Sequence, residues 1–289
     1  MRTLLVLLLL AACSSRSPGP APVQPDETLN QQLRIGRLAL EAGRNAEAAR
    51  LFDRALVRAR ERDSATEIAD AATGSSVALL GQGRAAEAGQ QAARVAAELR
   101  RRGTPVPPDL ILAEAVARFR LGEFDAATAL LTPLRASPDQ DVMRRASFIE
   151  GLIAGARRDP VALAQARGRI GTPEGRSFQA DAAELAAMAA LLNRDESTAF
   201  AEAERAAGLR RDTLDYRGIS RALELSADAA RQSGLPEREA DFALRAALGA
   251  SSRGDKAEAR RLMLRARSVT TDPRMRDTIT RELAALDAR

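Results

Sequence analysis

The chain has 289 residues, with 44 basic and 39 acidic side chains, a net charge of +5, no histidine and a single cysteine. The missing histidines exclude histidine-based catalytic triads and histidine metal sites, and one cysteine forms neither an internal disulfide nor a thiolate zinc site. Opposite charges are interspersed and aromatic residues make up only 3%, so no nucleic-acid surface, which needs clustered positive charge, is expected.

The first 12 residues have the pattern of a secretory signal peptide. Arg2 supplies positive charge, an apolar run covers residues 4–10, and small residues follow at Ala11 and Ala12. The run is too short to remain as a membrane-spanning helix, so we predict that residues 1–12 are cleaved off.

The stretch Leu10-Ala11-Ala12-Cys13 resembles the bacterial lipobox. In that family the cysteine thiol receives a diacylglycerol, the signal is cut before the cysteine, and the new amino terminus is acylated. The resemblance implies a lipoprotein anchored through Cys13, and anchoring by three chains is firm because each buried methylene contributes about 0.8 kcal/mol. Ser14 is compatible with transfer to the outer membrane, so we expect the protein on its periplasmic face, with the inner membrane as the alternative. An ordinary cleaved signal with an incidental cysteine is the other interpretation.

Residues 13–28 are expected to form a tether. Prolines at positions 18, 20, 22 and 25 alternate with mainly small residues. Closely spaced prolines favour an extended chain and exclude a helix. The tether would hold the following domain away from the lipid surface.

From residue 29 onward the pattern predicts helices separated by short breaks. Alanine and leucine supply most of the apolar residues and both favour helix, and no segment alternates as a strand does. Glycine, proline, serine, asparagine and aspartate mark the boundaries of fourteen helical segments, or seven pairs. The predicted breaks lie at Gly43, Asp63, Gly83, 103–108, Gly122, 137–138, 159–160, 171–175, Asn193, 208–212, Gly234, Gly254 and 272–273.

The first helix pair resembles the tetratricopeptide repeat. With Gly43 aligned on the turn, Ile35-Gly36 falls on the Leu-Gly pair of the first helix, Ala48 on the first small position of the second helix, and Phe52 on its aromatic position. The resemblance implies that the small residues lie where the two helices cross closely and that the ring fills the space toward the next repeat. The family's tryptophan and tyrosine are replaced here, and no proline closes this pair.

Further copies of the pattern begin at Gly83, Gly122 and Gly254, and Pro273 closes the last of them. Between residues 148 and 210 the match is poor, although the helix–turn–helix spacing continues. The resemblance implies an all-α fold, a tetratricopeptide-like right-handed α-solenoid of about seven helix pairs over residues 29–289. Since one pair does not bury its apolar face alone, one continuous superhelix is favoured over two separate domains. An alanine-rich bundle with chance glycines is the alternative.

Solenoids of this family bind extended peptides or partner helices along a concave face, which the first helix of each pair lines. The family's inward positions, placed by the glycine anchors, predict a partner-binding strip. Its members are Leu33, Arg37, Leu40, Val77, Leu80, Leu112, Val116, Phe119 and Arg120, with Thr73 at a further inward position. We hypothesise that the strip holds an apolar peptide whose carboxylate or acidic residues pair with Arg37 and Arg120. The alternative is that its apolar members are ordinary core.

Together these features predict a membrane-anchored periplasmic scaffold or adaptor that mediates protein–protein interaction in cell-envelope assembly, at the outer membrane, a pilus or the peptidoglycan machinery. The alternative is a non-catalytic regulatory subunit of a peptidoglycan-processing or secretion system. No catalytic residue, metal ligand or cofactor is expected. Glu196-Ser197 matches the Glu-Ser pair of lytic transglycosylases, but a carboxylate is also favoured at the start of a helix. The identity of the partner and the oligomeric state stay open.

Overall fold

The computed structural model describes residues 26–288, which contain fourteen α-helices and no β-strand. The helices are α1 Glu27–Glu41, α2 Asn45–Glu61, α3 Ala65–Gly81, α4 Ala85–Arg101, α5 Pro108–Arg120, α6 Phe124–Leu131, α7 Gln140–Arg157, α8 Pro160–Ile170, α9 Arg176–Leu192, α10 Glu196–Asp212, α11 Tyr216–Gln232, α12 Pro236–Ser252, α13 Lys256–Val269 and α14 Pro273–Ala288. A 3-10 helix, Thr132–Ala136, extends α6. None of the described helices combines the length and the apolar character that a membrane span requires.

The helices form one continuous array. Each helix packs against the next one along the chain, and the odd-numbered helices from α1 to α11 also contact the next odd-numbered helix. The odd-numbered helices therefore form one layer, and the even-numbered helices pack beside them. This arrangement confirms the prediction of an all-α repeat solenoid with seven helix pairs.

The predicted lipid-attachment residue Cys13, the signal peptide and most of the tether lie outside the described residues. The helical domain itself begins earlier than residue 29. Asp26 caps α1 by accepting a hydrogen bond from the backbone N–H of Leu29 at 3.0 Å, and Arg58 of α2 donates to the same carboxylate at 2.6 Å. These two bonds lower the pKa of Asp26. Since Asp26 is only 8% exposed, it belongs to the folded domain.

Most turns use a residue with positive φ one or two positions after the end of a helix. Glycine takes this position at Gly43, Gly83, Gly103, Gly122, Gly234 and Gly254, where the missing Cβ removes the steric cost. Asp63, Arg158, Arg194 and Leu214 adopt the same left-handed conformation without that advantage.

The break predicted at residues 208–212 is wrong, because α10 continues to Asp212. Gly208 lies inside the helix, where a glycine costs about 1 kcal/mol relative to alanine. The turn follows Asp212, with Leu214 at a φ of 56°. Asp215 then caps α11 by accepting a hydrogen bond from the backbone N–H of Gly218 at 2.9 Å.

The ring of Phe52 joins the first two helix pairs. It is 1% exposed and lies between Gly36 of α1 and Gly74 of α3. A Cβ on Gly36 would lie 3.0 Å from the ring, and one on Gly74 would lie 2.4 Å from it. The two glycines therefore make the space that the aromatic side chain fills.

Candidate functional site

The odd-numbered helices line a channel inside the array. Its first cavity has a volume of about 660 Å³ and is lined by residues of α1, α3, α5, α7, α9 and α11, with Asn45 at the start of α2 and Asp215 before α11. One side of this cavity is an apolar wall. The apolar wall comprises Leu40, Val77, Leu80, Leu112, Val116, Phe119, Phe148, Ile149 and Leu152. Charged side chains of α9 and α11 face the same cavity.

Most residues of the strip that was predicted from the sequence lie in this cavity. They are Leu40, Val77, Leu80, Leu112, Val116, Phe119 and Arg120, together with Thr73. Leu33 instead packs in the core formed by the first helices. Arg37 is ion-paired with Asp70 of α3, and neither Leu33 nor Arg37 lines the cavity.

The far half of the channel was not predicted. Phe148 and Leu152 of α7 extend the apolar wall, and Arg217 and Arg221 of α11 lie opposite the predicted strip. The sequence match is poor in this region, but Arg217 and Arg221 are four residues apart and so share one helix face. That spacing, directly after the helix-capping Asp215, is the signal that marks them.

A second cavity of about 610 Å³ continues the channel. It shares Phe119, Arg120, Arg217 and Arg221 with the first cavity and is bounded further by the start of α4 and by α13. Its lining is mainly charged, so the channel passes from an apolar half to a polar half. Arg120 lies where the two halves meet.

Two arginines bind the end of α3 at this point, and one of them comes from a distant part of the array. Arg217 donates to the backbone carbonyl of Gly81 at 3.0 Å, although the two residues are 136 positions apart, and it also pairs with Asp255 at 3.1 Å. Arg120 donates to the neighbouring carbonyl of Leu80 at 2.6 Å. Both acceptors lie in the last turn of α3, where the negative end of the helix dipole favours cations. Arg217 therefore joins α11 to α3 across the channel, while Arg120 links the neighbouring helices α5 and α3.

The side chain of Arg120 is exposed to the channel, while its guanidinium group lies against the end of α3 and donates to Leu80. Desolvation, with Arg217 and Arg221 as neighbouring cations, lowers the pKa of Arg120 to about 9. The side chain still carries its charge at neutral pH.

A five-charge cluster, formed by Asp181, Glu184, Arg210, Asp215 and Arg221, supports the polar side of the channel. Arg210 donates to Asp181, lies 3.0 Å from Glu184 and 3.2 Å from Asp215, and is almost fully buried. Arg221 donates to Glu184 from Nε and Nη2. With two cations and three carboxylates, the cluster has one negative charge in excess when all its members are ionised.

Phe148 connects this cluster to the apolar wall. The guanidinium carbons of Arg210 and Arg221 lie 5.4 and 5.6 Å from the centre of its ring. At these distances a cation is attracted to the face of the ring. Within residues 26–288 no group of three or more potential ligands is arranged to hold a metal ion.

The excess negative charge gives the first testable prediction. Burial raises the pKa of Asp181 from 3.8 to about 6, against the opposing effect of Arg210. At pH values between about 4 and 6, Asp181 keeps its proton in the folded protein but releases it in the unfolded chain. The ionisation of Asp181 therefore lowers the stability of the fold as the pH rises. Asp181→Asn should therefore gain stability relative to the wild type between pH 5 and pH 8 by about 1.5 kcal/mol, which is the part of a total effect of about 3 kcal/mol that develops above pH 5.

Urea unfolding at pH 5, 6, 7 and 8 measures this difference. Asp277 is exposed on α14, so Asp277→Asn is the matched control and its stability should follow that of the wild type at every pH. If the free energy of unfolding changed with pH in the same way for Asp181→Asn and the wild type, the prediction would be contradicted.

Comparison with known proteins identifies the fold. No protein-family model matches the sequence, and no curated protein is significantly similar to it. The crystal structure of a tetratricopeptide repeat protein from Parabacteroides merdae superposes with a TM-score of 0.50 at 14% identity, over 90% of this chain and 99% of that one. The C-terminal part of a repeat protein of the same type from Cytophaga hutchinsonii gives 0.40 at 12% identity, over 85% and 98%. The first similarity shows that the chain has the tetratricopeptide-repeat fold.

Proposed function

We propose that this chain is a lipid-anchored adaptor of the periplasm and that its channel binds an extended, largely apolar segment of a cell-envelope protein. The observation that carries the proposal is the apolar wall, of which Leu40, Val77, Val116, Phe119 and Phe148 are exposed or half-buried in the cavity. The other members, Leu80, Leu112, Ile149 and Leu152, are buried and belong to the core. We propose further that the chain acts by binding and performs no catalysis.

The apolar wall has the chemistry and the dimensions of a peptide site. Val77 is 42% exposed inside the channel, and Val116 and Phe119 are half-buried. Covering such side chains with a partner contributes about 25 cal/mol for each Å² removed from water. Four helices, α1, α3, α5 and α7, supply the wall. At helix spacings of about 8–10 Å, their span of roughly 30 Å matches about nine residues of extended chain.

The location rests on the sequence. The lipobox-like motif ending at Cys13, followed by Ser14, favours anchoring in the outer membrane. The thirteen residues from 13 to 25 reach about 40 Å if their prolines keep them extended at about 3.1 Å per residue. This length suits an array that works close to the inner surface of the outer membrane.

Two single substitutions in the channel, with one control outside it, test the binding site. We expect Val77→Asp and Phe119→Asp to weaken capture of the envelope partner at least about tenfold, because an unpaired carboxylate in a covered apolar site is costly. Val57 is the matched control, since it is 58% exposed but lies on α2 and lines neither cavity. The measurement is crosslinking of the full-length protein in cell envelopes, followed by quantitative mass spectrometry.

The same experiment tests the anchor. Cys13→Ala should leave the outer-membrane fraction, while the purified variant should still bind the partner that the crosslinking identifies. Equal capture by Val77→Asp, Phe119→Asp and Val57→Asp would overturn the channel as the binding site. Retention of Cys13→Ala in the outer membrane would overturn the anchor. A partner that proves to be a peptidoglycan or secretion enzyme would identify the adaptor as a regulatory subunit.

A further inference from the structure

We propose that the array has a binding site outside the channel and that this site takes a small apolar carboxylic acid. The site is a cavity of about 390 Å³ between α10 and α12, here called the outer cavity. The apolar part of the acid would lie against the rings of Phe200 and Phe242, and its carboxylate would pair with Arg238.

The outer cavity has an aromatic wall and an aliphatic floor. Phe200 of α10 and Phe242 of α12 are half-buried, and their ring centres lie 6.1 Å apart. The half-buried Ile219 and Leu223 of α11 complete the apolar lining. Each is two residues from Arg221, which lines the channel, and so lies about 200° around the helix from it. Helix α11 therefore separates the outer cavity from the channel.

Arg238 converges on both rings. Its guanidinium carbon lies 4.7 Å from the ring centre of Phe200 and 5.7 Å from that of Phe242. With the 6.1 Å between the rings, these distances place the three groups around one small volume. Attraction of a cation to a ring engages none of the five N–H donors of a guanidinium. The rings therefore hold Arg238 in place and leave its donors available for a carboxylate, which accepts two such bonds side by side.

The other charged groups do not neutralise Arg238. Arg245 also lies near Phe242, but it pairs with Asp241 at 3.6 Å. Glu204 is the one carboxylate of the lining, and neither it nor any other carboxylate of residues 26–288 forms an ion pair with Arg238. Charge complementarity at this position therefore favours an acidic ligand over a neutral or basic one.

Gly208 keeps the outer cavity open. It is half-buried within α10 and lines the cavity, and a Cβ built on it would have no heavy atom within 4 Å. A glycine inside a helix is less favourable than an alanine, and here neither a turn nor a close contact requires one. The volume lies within the range of small-molecule sites, roughly 300–1,000 Å³, which favours a free acid over a protein segment.

The probe for this site is 3-phenylpropionate, which joins one aromatic ring to a carboxylate through a short linker. It is titrated into the full-length protein at constant ionic strength, and calorimetry at about 20 °C follows binding. We expect a dissociation constant below about 1 mM, and binding at least about tenfold weaker for the neutral 3-phenylpropionamide. Arg238→Gln should weaken binding of the acid to the level of the amide and leave binding of the amide unchanged. Arg54 is exposed on α2 and does not line the outer cavity, so Arg54→Gln should bind both probes as the wild type does.

A cavity-filling substitution tests the site independently of charge. Gly208→Leu should abolish binding of both probes, while its thermal unfolding midpoint should equal or exceed that of the wild type, because leucine favours helix more than glycine does. Gly168 is the matched control, since it lies exposed within α8 and a Cβ built on it also meets nothing within 4 Å. Gly168→Leu should bind both probes as the wild type does.

The site is overturned if 3-phenylpropionate does not bind, if Arg238→Gln binds it as Arg54→Gln does, or if Gly208→Leu binds it as Gly168→Leu does. The tripeptide glycyl-glycyl-phenylalanine carries the same ring and carboxylate at a chain end. Binding of this peptide at least about tenfold tighter than the acid would overturn the small-molecule assignment in favour of a protein C-terminus. Val77→Asp should bind 3-phenylpropionate as the wild type does, so failure of this site and failure of the channel are distinguishable.

Discussion

Arg210→Met should lower the free energy of unfolding by about 3–5 kcal/mol, because it leaves buried carboxylates without their cation. Arg210 is 4% exposed and is the only member of the five-charge cluster in contact with Asp181, Glu184 and Asp215. After the substitution, Arg221 alone balances three carboxylates. Methionine fills a similar volume, so the loss reports the charge and its hydrogen bonds more than the packing. Urea unfolding followed by circular dichroism measures it.

A second substitution tests the electrostatic explanation. In Arg210→Met/Asp181→Asn the number of buried negative charges falls by one, so part of the lost stability should return. The loss in Arg210→Met alone should also be smaller at pH 5 than at pH 8, because Asp181 binds a proton at the lower pH. A pH-independent loss with no recovery in the double variant would assign the effect to packing instead.

Phe52→Ala should cost about 3–5 kcal/mol, a loss typical of a fully buried aromatic side chain. The ring supplies the atoms nearest to both Gly36 and Gly74, and neither glycine has a side chain that could move into the cavity. The first two helix pairs meet at this ring, so the substitution should uncouple α1 and α2 from α3. Hydrogen exchange of the backbone amides should then show loss of protection in α1 and α2 before the rest of the array.

A compensating substitution, which adds a methyl group opposite the truncated side chain, provides the control. Gly74→Ala should destabilise the wild type, since its Cβ would lie 2.4 Å from the ring, but it should be tolerated in the Phe52→Ala background, where the methyl group enters the cavity. Phe242 is only half-buried on α12, so Phe242→Ala should cost less than Phe52→Ala. Equal losses for the two phenylalanines would contradict the assignment of Phe52 as the main contact between the first two pairs.

Local sequence pattern predicts the parts of this structure that depend on neighbours along the chain. Gly36, Ala48 and Phe52 are close in sequence and act within one helix pair and its neighbour, so their spacing alone indicates the packing. The glycine turns are predicted for the same reason, since positive φ favours glycine. The turn at Leu214 is not predicted in this way, because a leucine takes the left-handed position there.

The channel is predicted only in its first half. Leu40, Val77 and Phe119 follow from the repeat pattern, because each occupies an inward position counted from a glycine. Phe148 lies where the repeat pattern is weak. The role of Arg217 depends on how far the superhelix turns between α3 and α11, and this angle accumulates from packing at every intermediate helix. No short stretch of sequence contains that information.

The bond between Arg217 and Gly81 also constrains how this array can evolve. In an open solenoid each repeat contacts only its neighbours, so repeats are gained or lost with little effect elsewhere. Here the end of α3 and the start of α11 must meet, and one added or deleted helix pair between them would carry Arg217 out of reach of its carbonyl. The number of intervening pairs is therefore fixed by closure, as the number of blades is fixed in a closed ring, and relatives that differ by whole repeats in this interval should have lost the channel.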